Sequence, residues 1–349
     1  MEMNFNHLER LCREFGLGIV IKIDENHEGV LNRNYVLTTD KGKYFIKSVR
    51  DQRKSDIPYI AAVEELMHTR GIPAVCMRTF SDDKKYVEYD SHVYTVYDFL
   101  ESNRTHKYLT SDFHTMGEML GNIHRAGNTS IPDFLKEKVF KEKLKEDIVN
   151  NLKSYKQQIE SKEWLQEIDK QFLEYIDLKM DILSKLDTGT KLQNDTLVHG
   201  DYHTRNLLIN DKREIIGICD WEKAEMAPRT YELARSVQLA CFNGESEEEP
   251  HIYEEDFAIE AARNFIHGYS SVYPIRADEI LLGLEARFRR MVSTFWIEDA
   301  YYLRNDSRSN KFIAHEMRQI RDFSGTKIFD ELKLDSLWGA GIEPKSRRK

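Results

Sequence analysis

Long apolar runs and an excess of basic charge are both missing from this sequence of 349 residues. No apolar segment approaches the roughly 20 residues that are needed to cross a bilayer. The N-terminal residues 1–16 have the pattern of an amphipathic helix with acidic residues, not that of a signal peptide. The formal net charge of −9 does not provide the basic face that a nucleic-acid backbone requires. We therefore expect a soluble, cytoplasmic protein that binds neither membranes nor nucleic acid.

Clustered cysteines and glycine-rich phosphate motifs are also missing. Cys12, Cys76, Cys219 and Cys241 are widely separated and form no CxxC pair. This spacing argues against a disulfide framework and against a zinc site, and it fits a reducing compartment. Neither GxGxxG nor GxxxxGK[ST] occurs in the chain, so a nucleotide site of the P-loop type is unsupported.

The first hundred residues predict a compact α+β unit with an antiparallel sheet. A helix is predicted at 56–70, and Gly71 and Pro73 end it. Short segments rich in β-branched and aromatic residues predict strands at 19–25, 34–41, 43–50, 85–90 and 92–100.

From residue 111 onwards the apolar residues recur mainly at helical spacing. Within 134–186 we predict two antiparallel helices, each with an apolar stripe that faces the core. The stripes consist of Ile148, Leu152, Tyr155 and Ile159, and of Trp164, Ile168, Phe172, Ile176, Met180 and Leu183. We divide the chain into an N-terminal domain, 1–100, a C-terminal domain, 101–340, and a basic, disordered tail, 341–349.

Residues 197–210, LVHGDYHTRNLLIN, place several hydrogen-bonding side chains just before an apolar strand. That strand, the turn 211–213 and the segment EIIGICDWE predict a β-hairpin. A hairpin brings its two ends side by side, so Asn206 and Asp220 should be neighbours, with Asp201 close by. Carboxylate and amide oxygens suit Mg²⁺ that carries nucleotide phosphates, because Mg²⁺ keeps its waters and takes few protein ligands. Asp201 is then available to orient a substrate hydroxyl.

The order Asp-x-x-x-x-Asn followed by a metal-binding aspartate is that of the protein-kinase catalytic loop. Here Asp220-Trp221-Glu222 stands where kinases have Asp-Phe-Gly. The sequence resembles the aminoglycoside phosphotransferase / choline kinase family, which includes homoserine kinase of the second type and spore-coat kinase-like proteins. The specific part of the resemblance lies in 198–235. It implies an α+β, bilobal, protein-kinase-like fold with a small antiparallel-sheet lobe and a larger, mainly helical lobe.

The resemblance also implies roles for single residues. Asp201 is expected to be catalytic, and Asn206 and Asp220 are expected to hold Mg²⁺. Lys47, in the segment YFIK, is expected to hold the α- and β-phosphates of ATP. The alternative meaning of such a lysine is a solvated position on a strand.

The partner of Lys47 should be a glutamate of the helix 56–70. Our candidate for this nucleotide-binding role is Glu64, while Glu65 and Asp56 stay open as alternatives. The loop that covers the phosphates should be 28–35, EGVLNRNY, in which Gly29 and Asn32 are the binding candidates.

The segment 97–102, YDFLES, should be the hinge that offers backbone groups of Asp98 and Phe99 to adenine. The same residues are equally compatible with an ordinary linker between a strand and a helix. His199 is expected to support the catalytic loop from inside the core. His203 is expected either to lie near the active site or to support the loop. Glu222 is expected either to assist metal binding or to reach a cationic substrate.

The function implied is transfer of the γ-phosphoryl group of ATP to a hydroxyl of a small molecule such as an aminoglycoside, choline or another amino alcohol, homoserine or a sugar. The acid-rich C-terminal part leans towards a cationic acceptor, because acids alternate there with aromatic faces that suit an ammonium group. Helical-core packing is the commoner meaning of such a cluster. Its members are Phe288, Phe295, Trp296, Glu298, Asp299, Tyr301 and Tyr302.

Two alternatives to this function stay open. The first is a catalytically idle kinase-fold protein that serves as a scaffold or coat component. The second is a protein kinase, against which the form HGDxHxxN and the lack of an APE segment argue. The choice between ATP and GTP and the oligomeric state cannot be inferred from the sequence.

Overall fold

A computed structural model describes residues 5–26, 33–49, 51–80, 83–89, 92–102, 108–185, 192–241, 255–324 and 332. The chain divides into two compact units. The first unit comprises 1–107, 122–138 and 197–226, and the second comprises 108–121, 139–196 and 227–349. The motif segment 197–210 therefore belongs to the same unit as the N-terminal strands, whereas the sequence-based division placed it in the other domain. The predicted tail, 341–349, lies outside the described residues.

The first unit contains a five-stranded antiparallel sheet in the order β1-β2-β3-β5-β4. One face of the sheet packs on the N-terminal helix, so that Leu37 and Ile46 share an apolar cluster with Leu11. Successive strand residues point to opposite faces, and Lys47 therefore lies on the other face, paired with Thr95. The elements are α1 (Phe5–Glu14), β1 (Val20–Asn26), β2 (Arg33–Thr39), β3 (Gly42–Val49), β4 (Val87–Tyr89) and β5 (His92–Asp98).

Helix α2 (Ile57–Thr69) follows a 3₁₀ turn and buries Ile60, Val63 and Met67. The helix predicted at 56–70 is confirmed. Gly71 follows it with a φ of 79° and so ends the helical path. The chain then forms a parallel bridge between Ala74 and Ile218, which connects this segment to the hairpin of the motif.

The predicted hairpin is present in the first unit. Strand β7 (Leu207–Ile209) pairs antiparallel with β8 (Ile215–Ile218), and Leu207 lies opposite Ile218. Two further short strands, β6 (Thr196–Val198) and β9 (Glu225–Ala227), pair with each other. In the sequence, β6 precedes the hairpin and β9 follows it. The catalytic-loop residues therefore lie between β6 and β7, and the Asp-Trp-Glu segment lies between β8 and β9.

The rest of the structure is mainly helical. The first predicted stripe, on the helix Lys145–Glu160, is buried as expected. The second stripe is wrong at Trp164, which is 81% exposed, because α5 begins only at Glu167 and leaves Trp164 in the preceding turn. The helices are α3 (Thr110–Gly127), α4 (Lys145–Glu160), α5 (Glu167–Lys185), α6 (Arg229–Cys241), α7 (Glu255–Val272), α8 (Ala277–Val292), α9 (Trp296–Glu298) and α10 (Ile313–Ser324).

An antiparallel sheet unit combined with a mainly helical part confirms the α+β fold class that the sequence predicted. Across the described part of the chain, no helix has both the length and the apolar character that crossing a membrane requires.

Candidate active site

The catalytic loop is held from inside the core by His199, whose side chain is fully buried. Its Nε2 lies 2.9 Å from the carbonyl oxygen of Cys219, and the backbone N–H of Asp201 donates to its Nδ1 at 3.2 Å. Because Nδ1 accepts a hydrogen bond, Nε2 carries the proton and donates to Cys219. The buried imidazole thus joins the strand before Asp220 to the loop that carries Asp201, which is the supporting position that the sequence predicted for His199.

Gly200 allows this loop to approach the Asp-Trp-Glu segment closely. Its φ is 80°, and a Cβ at this position would lie 2.0 Å from the carbonyl oxygen of Lys223. Any other residue would meet both the unfavourable backbone angle and this contact. The glycine of the HGD motif is therefore required by packing inside the site itself.

Asn206 and Asp220 are neighbours, as the hairpin geometry predicts. The N–H of Cys219 donates to the carbonyl oxygen of Asn206 at 2.9 Å. The side-chain Nδ2 of Asn206 donates to the carbonyl oxygen of Asp201 at 2.8 Å and lies 3.4 Å from Nε2 of His203. These contacts fix the amide group, so its oxygen is the atom that can ligate a cation.

Asp220 adopts left-handed backbone angles, φ 65° and ψ 57°. Such a conformation is unusual for a residue with a side chain, and such residues are concentrated at functional sites. The following Trp221 is fully buried and donates from its indole Nε1 to the carbonyl oxygen of Ile218 at 3.1 Å. Burial of the tryptophan therefore anchors the turn and leaves the carboxylate of Asp220 half exposed.

Lys47 of the sheet forms ion pairs with two carboxylates of this segment. Its Nζ lies 3.0 Å from Oδ1 of Asp220 and also contacts Oε1 of Glu222. Burial disfavours the charged lysine, but Asp220 and Glu222 outweigh that effect and raise the pKa of Lys47 above its ordinary value. Burial likewise works against the Asp220 carboxylate, and the charge of Lys47 reverses the outcome, so the pKa of Asp220 is lowered.

Glu64 is not brought into an ion pair with Lys47 among the residues that the structure describes. Its Oε2 instead accepts the backbone N–H of Met77 at 2.9 Å, and the hydroxyl of Tyr97 donates to its Oε1 at 3.3 Å. Burial raises the pKa of Glu64 to about 8, so this carboxyl group is largely neutral at pH 7. The two alternative acids of this region pair elsewhere, Glu65 with Lys85 and Asp56 with Lys138.

Lys47, Glu64, Asp220 and Glu222 line one cleft in the first unit. Its empty space, including the part that is open to solvent, measures about 390 Å³. Both charged and apolar side chains line it. The lining residues are Lys47, Asp56, Ile57, Ile60, Glu64, Met77, Thr95, Tyr97, Asp220, Trp221 and Glu222.

The structure says less about the residues that the sequence predicted to bind adenine and to cover the phosphates. The N–H of Phe99 donates to the carbonyl oxygen of Lys43 at 3.2 Å, and Asp98 forms an ion pair with Arg78 at 2.6 Å. Adenine recognition by Asp98 and Phe99 therefore stays a prediction. Gly29 and Asn32 lie outside the described residues.

His203 caps the turn that leads to Asn206, because the N–H of Arg205 donates to its Nδ1 at 3.3 Å. Its Nε2 lies 3.9 Å from Oδ2 of Asp201. The residue is thus both part of the loop scaffold and close to the catalytic candidate, so the two sequence-based alternatives describe the same position.

Sequence reasoning missed Lys223. Its ammonium group lies 2.7 Å from Oδ2 of Asp201. A lone lysine after Asp-Trp-Glu has no motif or periodicity that singles it out. Its position three residues after Asp220, in the turn that follows the returning strand of the hairpin, is the signal that could have identified it.

The donor set fits Mg²⁺ better than a transition metal. Among the described residues, no three His, Cys, Asp or Glu side chains are arranged to hold a metal ion. A transition metal would normally need such a group. Mg²⁺ needs only one or two carboxylates or amide oxygens, and phosphate oxygens and water complete its shell. The oxygens of Asn206 and Asp220 meet this smaller requirement.

The aromatic and acidic cluster in the second unit is occupied by cations of the same chain. Lys179 pairs with Glu298 at 2.7 Å, and both side chains are fully buried. The Nζ of Lys143 lies 4.5 Å from the ring centroid of Phe295, and Asp299 accepts the hydroxyl of Tyr155. The cluster therefore forms internal packing contacts, and the charge of the acceptor stays a prediction.

Residues 22–276 match the sequence profile of the phosphotransferase enzyme family. The match covers most of the chain, so the protein belongs to this family, whose members with this kinase-like fold act on small molecules. The resemblance inferred from HGDxHxxN and the Asp-Trp-Glu segment is confirmed.

Individual relatives are distant. Homoserine kinase of Zymomonas mobilis subsp. mobilis is 22% identical over 302 residues, which cover 83% of this chain and 87% of that protein. Spectinomycin phosphotransferase in complex with ADP and spectinomycin has a TM-score of 0.64 at 16% identity, with 97% of this chain and 100% of the other covered. Amicoumacin kinase in complex with AMP-PNP and Ca²⁺ has a TM-score of 0.62 at 15% identity, with 90% and 93% covered. At such identities the solved structures establish the fold.

Proposed function

We propose that this protein is an ATP-dependent phosphotransferase that moves the γ-phosphoryl group of ATP to a hydroxyl group of a small molecule. The observation that carries the proposal is the ion pair between Lys47 of the sheet and Asp220 of the hairpin, 173 positions apart in the sequence. It places a cation that suits phosphates beside a carboxylate that suits a metal ion. Asp201 and Asn206 belong to the loop that is hydrogen-bonded to Cys219, the residue directly before Asp220.

Each group has a proposed role. Lys47 binds the α- and β-phosphates, as the lysine of the third strand does in kinases. Asn206 and Asp220 hold Mg²⁺, with Glu222 beside them, and the ion when bound neutralises charge on the phosphate oxygens. Asp201 aligns the acceptor hydroxyl.

The reaction requires little bond-making by the protein itself. The acceptor oxygen forms a bond to the γ-phosphorus while the bond from that phosphorus to the bridging oxygen breaks, and ADP leaves with the electron pair. The hydroxyl proton passes to Asp201 late, because the transition state is loose. Positioning by Asp201 and charge stabilisation by Lys47 are then the main contributions of this chain.

The nucleotide as substrate is supported by relatives of the same fold, since spectinomycin phosphotransferase and amicoumacin kinase are known with ADP and with AMP-PNP. The relatives act on chemically different molecules, and one further neighbour is an aminopropanol kinase with a TM-score of 0.59. The acceptor is therefore proposed only as a hydroxylated small molecule, of which an aminoglycoside, an amino alcohol, homoserine and a sugar are the candidates.

The test is ADP release from Mg-ATP in the presence of separate acceptors: spectinomycin and other aminoglycosides, choline, ethanolamine, 1-amino-2-propanol, homoserine and common sugars. We expect at least one acceptor to raise the rate in the wild-type protein, and we expect this increase to fall about 10²- to 10⁴-fold in Asp201→Asn.

Thermal unfolding with Mg-ATP completes the design, because a ligand that binds only the folded state raises the melting temperature. Stabilisation without turnover would mean that the panel lacks the acceptor. If neither occurred, the proposal would be overturned and the catalytically idle alternative preferred.

A further inference from the structure

Lys223 contacts the catalytic candidate Asp201 through its side chain. The 2.7 Å separation between its Nζ and Oδ2 of Asp201 is that of a charge-assisted hydrogen bond. The side chain of Asp201 is 12% exposed, whereas that of Lys223 is 55% exposed. A nearly buried carboxylate therefore meets a cation whose stem extends to solvent.

The backbone of Lys223 is held against the same loop. Its carbonyl oxygen occupies the space that a Cβ of Gly200 would need, at a distance of 2.0 Å from that position. The turn Trp221–Lys223 is closed by the N–H of Ala224, which donates to the carbonyl oxygen of Trp221 at 3.0 Å. The side chain of Lys223 thus begins directly beside Gly200, so its ammonium group reaches Asp201, the next residue of the loop.

The other contacts that we described for Asp201 act on its main chain. Its N–H donates to His199, and its carbonyl oxygen accepts from Asn206. They fix the position of its backbone in the loop. The contact with Lys223 acts on the carboxylate itself, and Nε2 of His203 lies farther away, at 3.9 Å.

We propose that Lys223 is a positioning residue for phosphoryl transfer: it fixes the Asp201 carboxylate through Oδ2 so that the carboxylate meets the acceptor hydroxyl in the reactive orientation. This inference rests on the proposed function of Asp201. In this step the hydroxyl proton goes to Asp201, and ADP leaves with the electron pair of the broken bond.

Replacement of Lys223 by methionine keeps the apolar stem and removes the ammonium group. We expect kcat to fall on the order of 10- to 100-fold, because a misplacement of about 1 Å at a reacting group can have an effect of this size. The KM for ATP should change less than about twofold, since a purely orienting residue does not add ground-state binding. Lys223→Arg should recover part of kcat because guanidinium also donates to a carboxylate.

Lys212→Met is the matched control. Lys212 lies in the exposed turn of the same hairpin, where its backbone N–H donates to the side chain of Asn210, so its replacement should leave kcat and KM unchanged. Equal kcat for the wild-type protein and Lys223→Met, with an active wild type, would overturn the inference while leaving the proposed function intact.

A double-mutant cycle with Asp201→Asn separates positioning from a general effect on folding. If Lys223 acts through the carboxylate, Lys223→Met should lower the residual activity of Asp201→Asn by less than about twofold, because coupled residues show strongly non-additive effects. A full 10- to 100-fold loss in that background would show that Lys223 acts independently of Asp201 and would contradict the proposal.

Crystal structures of the wild-type protein, Lys223→Arg and Lys223→Met provide a readout that needs no acceptor. The Asp201 carboxylate should keep its orientation in the first two and rotate in the third. An unmoved carboxylate in Lys223→Met would overturn the inference. A wild-type protein with neither acceptor-dependent ADP release nor stabilisation by Mg-ATP would count against the proposed function alone, and the structures would then decide the positioning.

Discussion

Each of the two compact units contains a lysine in contact with carboxylates, and the two contacts differ in access and in charge balance. Lys179 pairs with Glu298 in the second unit, where neither side chain is exposed. Lys179 also donates to the carbonyl oxygen of Thr294 at 2.6 Å and lies 4.0 Å from the ring centroid of Tyr175. One cation thus faces one carboxylate inside a packed shell of carbonyl and aromatic groups.

Lys47 in the first unit faces two carboxylates, and one of them, Asp220, is half exposed on a left-handed turn. The excess of negative charge and the access to solvent would allow the proposed metal ion and phosphate groups to compete for these partners. A lysine–carboxylate contact is therefore evidence of a functional site only when charge and exposure leave it able to exchange partners. The following predictions test that distinction, beginning with the largest expected effect.

Asp201→Asn should remove most of the activity and little of the stability. We expect a fall in kcat of about 10²- to 10⁴-fold, the range in which general acid–base groups contribute. The amide keeps the size of the side chain, and Lys223 on the surface of the site can turn to solvent. ADP release with the best acceptor measures kcat, and thermal unfolding with and without Mg-ATP measures folding and nucleotide binding.

Loss of Mg-ATP stabilisation in Asp201→Asn would contradict this assignment, because Asp201 is proposed to orient the acceptor and not to bind the nucleotide. Asp195→Asn, at a polar position just before strand β6, is a suitable control for the loss of an acidic side chain near the loop.

Lys179→Met should have the opposite outcome, with a large effect on stability and a small one on nucleotide binding. Removal of the cation leaves Glu298 as an uncompensated buried charge, and breaking a buried pair in this way costs about 3–5 kcal/mol of unfolding free energy. Denaturant unfolding measures the loss. Lys170→Met, on the exposed side of the same helix, is the control, since its pair with Glu167 is largely exposed.

If Lys179→Met were as stable as Lys170→Met, the buried pair would not be the structural contact that we describe. Stabilisation of folded Lys179→Met by Mg-ATP should persist, because Lys47, Asp201, Asn206 and Asp220 all belong to the other unit.

The features of the fold and of the site that depend on local sequence could be predicted from the sequence. The hairpin and the adjacency of Asn206 and Asp220 follow from two short apolar strands and the turn between them. The fold class followed from strand and helix patterns and from a motif of fixed spacing. The stripe on α4 was correct because an amphipathic helix of that length has one dominant apolar face.

The parts that depend on contacts between distant residues could not be predicted. The sequence indicated Glu64 as the partner of Lys47 and gave Glu222 a role beside the metal ion or a cationic substrate. Only the tertiary contacts show that Lys47 pairs with Glu222 while Glu64 accepts hydrogen bonds from Met77 and Tyr97. Lys223 was missed because its role depends on the close approach to Gly200. Trp164 was misplaced because periodicity alone does not show that α5 starts after it.

Glu64→Gln should change how the stability depends on pH. The pKa of Glu64 is raised by burial from 4.5 to about 8 in the folded protein, so between these values the folded state binds more protons than the unfolded state. Its contribution to stability is thus full below about pH 4.5 and is lost as the pH rises towards 8. Because a pKa difference of one unit corresponds to about 1.4 kcal/mol, the loss is on the order of a few kcal/mol.

Melting temperatures of the wild-type protein and Glu64→Gln, compared from pH 5 to pH 8.5, test this sign. The glutamine variant should show a flatter decline, because its amide oxygen can still accept the N–H of Met77 without titrating. Glu65→Gln, at the exposed neighbouring carboxylate, should decline as steeply as the wild-type protein. A decline in Glu64→Gln equal to that of the wild-type protein would show that Glu64 is ionised in the fold.

Glu222→Gln should have the smallest effect on stability, because Lys47 keeps Asp220 as its partner. We expect the loss of unfolding free energy to stay below the value of about 3–5 kcal/mol expected for Lys179→Met, because Asp220 still compensates the charge of Lys47. The requirement for Mg²⁺ should rise, since one carboxylate beside the proposed ligands Asn206 and Asp220 is lost. A Mg²⁺ titration of ADP release, beside one of Glu65→Gln, measures this change. A stability loss as large as that of Lys179→Met would mean that the contact of Lys47 is as structural as the buried pair, and the distinction between the two lysines would fail.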